Sequence, residues 1–392
     1  MDIRKRAEEL EGEIIELRRW LHRHAELSWQ EHESTEFIVK YLEDLGLPVH
    51  RYEGHTGCWT MIEGGKAGPD SRTILLRADF DALPLTEETG LPFASINEGV
   101  FHGCGHDTHA AMLLVACKML LELRDSLGGN VKILFQAAEE TAIGAKYYVE
   151  QGILEGVDAA YGCHISTGLP CGTFTVMEGP HSTATDEFTI RVQGLGCHGG
   201  KPHLGRDALV AACAIVSALQ TIVSRMTDSM ESLVITVGTL HSGSAYNVVA
   251  DSAVMTGTVR TYSREVRQGV PEKMRQVAES VAAAYGCTAQ VEYQCKTGSV
   301  VHDDPEMIRL ARNAVTKLFG ADALVKAGPM GGGDDFAYYS ERVPGIYADL
   351  GAAPDASQGE IYDLHHPKVR FNEDALKCGT AMHVQMAVDF LS

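Results

Sequence analysis

The sequence predicts an α/β protein: a mostly parallel mixed sheet sandwiched by helices, with an α+β ferredoxin-like module inserted into it. Three observations predict this. Short apolar runs alternate with helical patterns from Thr73 to Ile165, polar residues stand at the ends of those runs, and between about Ser182 and Cys295 the pattern changes to β-α-β-β-α-β.

Leu10, Ile14, Leu17 and Leu21 recur at three- and four-residue intervals, predicting one amphipathic helix from Ile3 to about Ala25, and a second runs from His32 to Leu45. TILLRAD (Thr73–Asp79), NVKILFQ (Asn130–Gln136) and DAAYGCHI (Asp158–Ile165) read as buried strands. They are separated by helices Thr108–Leu123 and Ala142–Gln151, as in a parallel sheet covered on both faces. Asp79, Asp81, Glu139, Glu140 and His164 lie at or just past the C-terminal ends of these strands, where open α/β sheets place their ligand crevice. The inserted module reads as EFTIRVQG, helix Ala208–Arg225, SLVITVGTL, DSAVMTGTVRTY, a helix near Val266–Tyr285 and TAQVEYQC. A helix at Pro305–Phe319, the loop GPMGGGDDF and a last helix near Glu373–Phe390 follow. The expected division is 1–181 and 297–392 as one domain around an insert at 182–296.

Hydrophobic residues at 45% and charged residues at 22% describe an ordinary globular chain. Lys and Arg total 33 against 53 Asp and Glu, a formal charge of −20, and no basic run offsets it locally. That excludes nucleic-acid backbones and anionic membrane surfaces as expected partners. The charged N-terminus has no signal-peptide core and no later run reads as a membrane span, so a cytoplasmic location is expected. Most of the ten cysteines, such as Cys117 and Cys213, sit singly in apolar runs as reduced thiols. Cys104 is the exception.

In FHGCGHDTHA, Cys104 and His106 lie two apart just before a helix, where sulfur and nitrogen can face one divalent transition metal. Asp107 in the same stretch reads as a helix N-cap. AAEE ends the strand NVKILFQ, and adjacent carboxylates can divide the work, Glu140 toward a metal and Glu139 free to carry a proton. For the pair alone, a plain surface position weighs equally. His164 in GCHIS and His365 in DLHHPKV each read singly as structural histidines, and their joint placement is what makes them candidates. Cys104, His106, Glu140, His164 and His365 supply five donors, enough for two ions sharing a ligand. A thiolate, imidazoles and a carboxylate suit Zn²⁺, Mn²⁺, Co²⁺ or Ni²⁺ rather than Ca²⁺ or Mg²⁺.

The stretches LHRHAELSWQE, RADFDALP, FHGCGHDTHA, FQAAEE, GCHIS, GCHGGKPH, NVVADSAVMTGTVR, GGGDDFAYY and LHHPKV run from residue 21 to residue 369. With them the chain resembles the metal-dependent amidohydrolases that comprise hippurate hydrolases, auxin-conjugate hydrolases and N-acyl-amino-acid deacylases, within the aminoacylase and carboxypeptidase clan. The resemblance implies a zinc-peptidase-like catalytic domain, with the insert as lid and dimerisation domain of a homodimer or higher oligomer. It places the five donors on metal-ligand positions, Glu139 on the general base and acid, and Asp79 on a position that steadies a ligand. Arg77 stands where the wider clan has a ligand histidine. His198 falls on the oxyanion donor, and Asn247 and Arg260 on polar positions that meet the substrate carboxylate. HGGKPH and GGGDDF depart from the usual family pattern without removing a donor or the proton carrier.

The implied reaction is attack on the amide of an N-acetyl, N-benzoyl or similar amino acid by metal-activated hydroxide, with Glu139 moving the proton. The rivals are a dipeptidase or carboxypeptidase with the same two-metal site, a non-catalytic metal-binding relative, and a thiol hydrolase using Cys104 with His106.

Overall fold

Thr73–Asp79 is buried at every position, and so, apart from one terminal residue each, are Asn130–Gln136 and Ala159–Ser166. Such runs satisfy a strand covered on both faces and no other environment. The structure, a computed structural model, describes residues 1–392 apart from Ala356 and Gln358. It falls into two compact units, one of Met1–His181, Val301–Pro329 and Asp335–Ser392, the other of Ser182–Val300 and Met330–Asp334.

The first unit carries a seven-stranded sheet in the order Val49–Arg51, Cys58–Ile62, Asn130–Gln136, Thr73–Asp79, Ala159–Ser166, Gly345–Gly351, Phe174–Thr175. The four strands from Asn130–Gln136 to Gly345–Gly351 are mutually parallel, and the outer pairings on both sides are antiparallel. Gly345–Gly351 escapes the sequence reading because Asp349 interrupts its apolar run. In the fold that carboxylate accepts from Thr175 Oγ1 at 2.5 Å and lies 3.1 Å from His181 Nε2, so the charge is buried but partnered.

Helix His106–Leu123 is buried on nearly every face and packs between the sheet and helix Leu376–Phe390. Gly379 permits that approach, since a Cβ there would meet the Met112 sulfur at 2.0 Å. The single N-terminal helix expected from Ile3 to Ala25 is two, Ile3–Glu9 and Glu11–Arg23, joined at Leu10. Ile3, Ala7, Leu10, Ile14, Leu17 and Leu21 all face the core, so the apolar spacing runs through the break without registering it.

In the second unit four antiparallel strands stand in the order Leu233–Ser242, Ser252–Thr261, Ala184–Gln193, Thr288–Thr297. Phe188, Ile190 and Val192 pack with Ala211, Ile215, Leu219 and Ile222 of helix Ala208–Arg225 and with Val270, Met274 and Ala278 of helix Arg264–Ala284. Helix Ala208–Arg225 corrects the expectation that no run could span a bilayer, because its length and apolarity suffice. Its buried stripe at three- and four-residue spacing is that of a helix laid on a sheet.

Candidate metal centre

Strand Thr73–Asp79 leads to Asp81, and the chain returns through Phe101 to the turn His102–Gly105. Gly105 has φ +85°, and a Cβ there would lie 2.6 Å from Ile165 and 2.8 Å from Phe371. Only glycine fits, and the turn delivers Cys104 to the N-terminus of the helix that His106 begins. After strand Asn130–Gln136, Ala138 at φ +61° and Ala142 at φ +60° bracket the tight turn Glu139–Thr141. His164 lies near the end of its strand. His365, at φ +63°, donates its backbone N–H to Gly103 O at 2.9 Å, which ties it to the Cys104 turn.

These four segments bring all five predicted donors together. Cys104 Sγ lies 3.5 Å from His164 Nε2, His106 Nε2 lies 3.9 Å from Glu140 Oε1, and His365 Nε2 lies 3.7 Å from Glu140 Oε2. Cys104 groups within 4.8 Å both with His106 and His164 and with Glu140 and His365. His106 and Cys104 are buried, whereas the His365 side chain is 54% exposed and marks the open side. His106 Nε2 and Glu140 Oε1 are buried without a hydrogen-bond partner, a costly state for polar atoms. A divalent transition ion removes that cost, and the donor set fits one. Burial, then the Glu140 carboxylate, pushes the Cys104 thiol well above its ordinary range. Burial pushes Glu140 up to about 7 against the pull of His106.

The atoms behind the donors fix their orientation. His164 Nδ1 lies 2.7 Å from Ile165 O, a pure acceptor, so Nδ1 carries the proton and Nε2 presents its lone pair. Burial, then His109 and His106, drives His164 down to about 3. The expected orienting role of Asp79 falls at His106 to Asp81, whose Oδ1 lies 3.2 Å from His106 Nδ1. Asp81 Oδ2 accepts from the Glu140 N–H at 3.0 Å and from Ser28 Oγ at 2.6 Å. Asp79 instead accepts from His109 Nδ1 at 2.6 Å, while Ile165 N–H donates to His109 Nε2 at 2.9 Å. His109 went unread in the sequence, although its place one turn after His106 was the available signal.

Arg77 donates to Asp79, to Asp335 Oδ1 at 2.6 Å and to Gln136 Oε1 at 2.8 Å, all buried. Asp335 also donates its N–H to Glu139 Oε1 at 3.2 Å. Glu139 is thereby held beside the donors. Asp107 is no cap: it is buried, 2.8 Å from both Arg18 Nε and His22 Nδ1, and those cations outweigh the burial that would raise it, holding it far below the carboxylate range. His366 stacks on Tyr362 at 4.1 Å and points its Nδ1 at the Lys368 N–H.

The model of peptidase family M20/M25/M40 matches residues 75–389. The chain belongs to this family. It is 40% identical to the N-acetyl-L-cysteine deacetylase of Bacillus subtilis over 94% of this chain and 85% of the relative. It is 36% identical to thermostable carboxypeptidase 1 of Saccharolobus solfataricus over 97% and 96%. The crystal structure of the Bacillus subtilis YXEP protein, described as a dinuclear metal binding peptidase of the M20 family, superposes with a TM-score of 0.86 at 36% identity, covering 98% of this chain and 99% of that one. As a member of the M20/M25/M40 family the chain is a hydrolase, and its mixed sheet flanked by helices is the family fold.

His198, Asn247 and Arg260 belong to the second unit. His198 pairs with Val248 across a short bridge, and Asn247 O accepts the N–H of Gly199 at 2.7 Å, so the two residues lie on neighbouring antiparallel segments. Arg260 lies in strand Ser252–Thr261 and donates to Thr185 Oγ1.

Proposed function

We propose that this protein hydrolyses the amide bond of N-acyl amino acids at a centre of two divalent transition ions, with Zn²⁺, Mn²⁺, Co²⁺ or Ni²⁺ as the ions its donors suit. The observation that carries this is the convergence of Cys104, His106, Glu140, His164 and His365, two of them with orphaned buried atoms, while Glu139 stays tethered beside them. Cys104 belongs to two overlapping donor groups, one with His106 and His164 and one with Glu140 and His365, and these residues would hold the ions. Bound there, such ions supply an acidified water and an electrophilic contact for the amide oxygen.

The chain does the rest. Glu139 takes a proton from the attacking water and hands it to the departing nitrogen, and the Asp335 N–H on its Oε1 holds the carboxylate in place. Asp81 holds the imidazole of His106 and the backbone of Glu140 as one unit. The family resemblance assigns His198 to the developing oxyanion and Asn247 and Arg260 to the substrate carboxylate. The deacetylase relative supports an N-acyl substrate, while the carboxypeptidase relative keeps peptide cleavage as the second reading. A panel of N-acetyl- and N-benzoyl-amino acids set beside dipeptides, with the metal-loaded protein, tests this. Turnover of peptides alone removes the deacylase reading.

The same proposal includes a homodimer formed through the second unit. Leu233–Ser242 is an edge strand with Val234 50% exposed. Helix Ala208–Arg225, which packs against that strand, has no charged residue before Arg225 and leaves Leu209 and Val210 41% and 47% exposed. An open edge beside an uncharged apolar helix face is a surface that a second copy covers.

A further inference from the structure

We infer that Glu31 is a positioning residue for the proton carrier: through the Ala138 amide it fixes the turn that parts Glu139 from Glu140. The inference deepens the reading of Glu139 given above and rests on it.

Two adjacent glutamates do different work only if the backbone between strand and turn is held in one shape. That shape is strained. Ala138 sits at φ +61°, a left-handed region that non-glycine residues rarely adopt. Its N–H is taken by Glu31 Oε1 at 2.9 Å, which anchors the peptide leading into that residue. The other Glu31 oxygen accepts from Thr56 Oγ1 at 2.6 Å, and the Thr35 N–H and hydroxyl both donate to Glu31 O. Glu31 is wholly buried, so both carboxyl oxygens have protein partners and the side chain has one place to be.

The segment around Glu31 is shaped for this reach. Trp29 has φ +62°, an outlier for so bulky a side chain, and it persists because its ring packs against His55 and Tyr147 at 5.1 and 5.4 Å. That bend lets two side chains of one short stretch grip the site at two points. Ser28 holds Asp81, which holds the Glu140 N–H, and Glu31 holds the Ala138 N–H. The amides on either side of Glu139 are thus clamped from a single segment, and neither clamp uses a donor atom of the metal centre.

The test compares Glu31→Gln, which keeps the acceptor, with Glu31→Leu, which removes it at similar size, and Glu31→Asp, which withdraws it by one methylene. Each is measured for kcat and KM on an N-acyl amino acid that the parent cleaves, and for its cobalt(II) absorption spectrum after exchange of the native ions. We expect Glu31→Gln to match the parent in both, and Glu31→Leu to lose about 10- to 100-fold in kcat with KM unchanged and an altered cobalt spectrum as Glu140 shifts. Parent-like kcat and spectrum in Glu31→Leu, or equal losses in Glu31→Gln, overturn the inference. If Glu31→Leu does not fold, Glu31→Asp decides in the same way: the Leu pattern supports the inference and parent-like behaviour overturns it. The cobalt spectrum needs no substrate, so a parent inactive on every N-acyl amino acid overturns the proposed reaction while the spectral comparison still decides the clamp.

Discussion

Asp81 grips His106 with one carboxylate oxygen, 3.2 Å from Nδ1, while its other oxygen accepts the backbone N–H of Glu140. One side chain therefore sets two donors at once. Asp81→Asn exchanges an acceptor oxygen for an NH₂ facing either the ring nitrogen or the amide. Metal affinity should fall by about 10- to 100-fold, read by competition against a chromophoric chelator. An unchanged affinity would separate Asp81 from the centre.

Glu139→Ala should keep its full metal content and lose about 10²- to 10⁴-fold in kcat, because Glu139 is not one of the five proposed donors and its Oε1 accepts from the Asp335 N–H. Metal analysis beside an N-acyl-amino-acid assay checks both halves. Undiminished turnover would remove Glu139 as proton carrier.

Chelation should abolish activity and re-addition of a divalent transition ion restore it, and Cys104→Ser should bind less metal than the parent. A thiol hydrolase shows the reverse, activity that survives the chelator. Burial, then Glu140, also pushes the Cys104 thiol above its ordinary range, which works against a free nucleophilic thiolate.

His302 sets a pH window for stability. Its Nε2 accepts from the Tyr347 N–H at 3.0 Å and its Nδ1 donates to Met177 O at 3.0 Å, a pairing only the neutral ring makes. Burial, then His181, lowers it from 6.5 to about 4. A depressed histidine binds its proton sooner in the unfolded chain. Its contribution is therefore intact above pH 6.5 and lost as the pH falls toward about 4. Proton NMR of the ring should show His302 neutral at pH 5.5, and thermal unfolding should shift downward across that interval. A ring that titrates near 6.5 refutes this.

Val234→Asp puts a charge on the exposed edge strand Leu233–Ser242. Light scattering should show a dimeric parent and a monomeric variant with an unchanged fold. A monomeric parent ends the dimer proposal.

Three of the four parallel strands were legible as apolar runs, with Glu140 and His164 at or just past their ends, whereas Cys104 and His106 were legible from their spacing before a helix and His365 only jointly with the others. The reading failed where a charge sits inside a strand. Asp349 hid Gly345–Gly351, because periodicity counts a buried carboxylate as polar and cannot see His181 and Thr175 across the sheet. Asp107 reads as a cap in the sequence for a similar reason, since its partners Arg18 and His22 are remote in the chain. Asp79 and Asp81 differ by two positions on one strand end, and only the packing of helix His106–Leu123 tells which carboxylate meets His106 and which meets His109.

Beneath the donors lies a guanidinium that neither acid nor chelator removes. Arg77 pairs with both Asp79 and Asp335 from within the fold, so part of the buried acidic charge is offset by the chain itself whatever occupies the donors. Removing ions from the donors leaves these two pairs in place, and with them the link between the ends of the strands and the Asp335 segment.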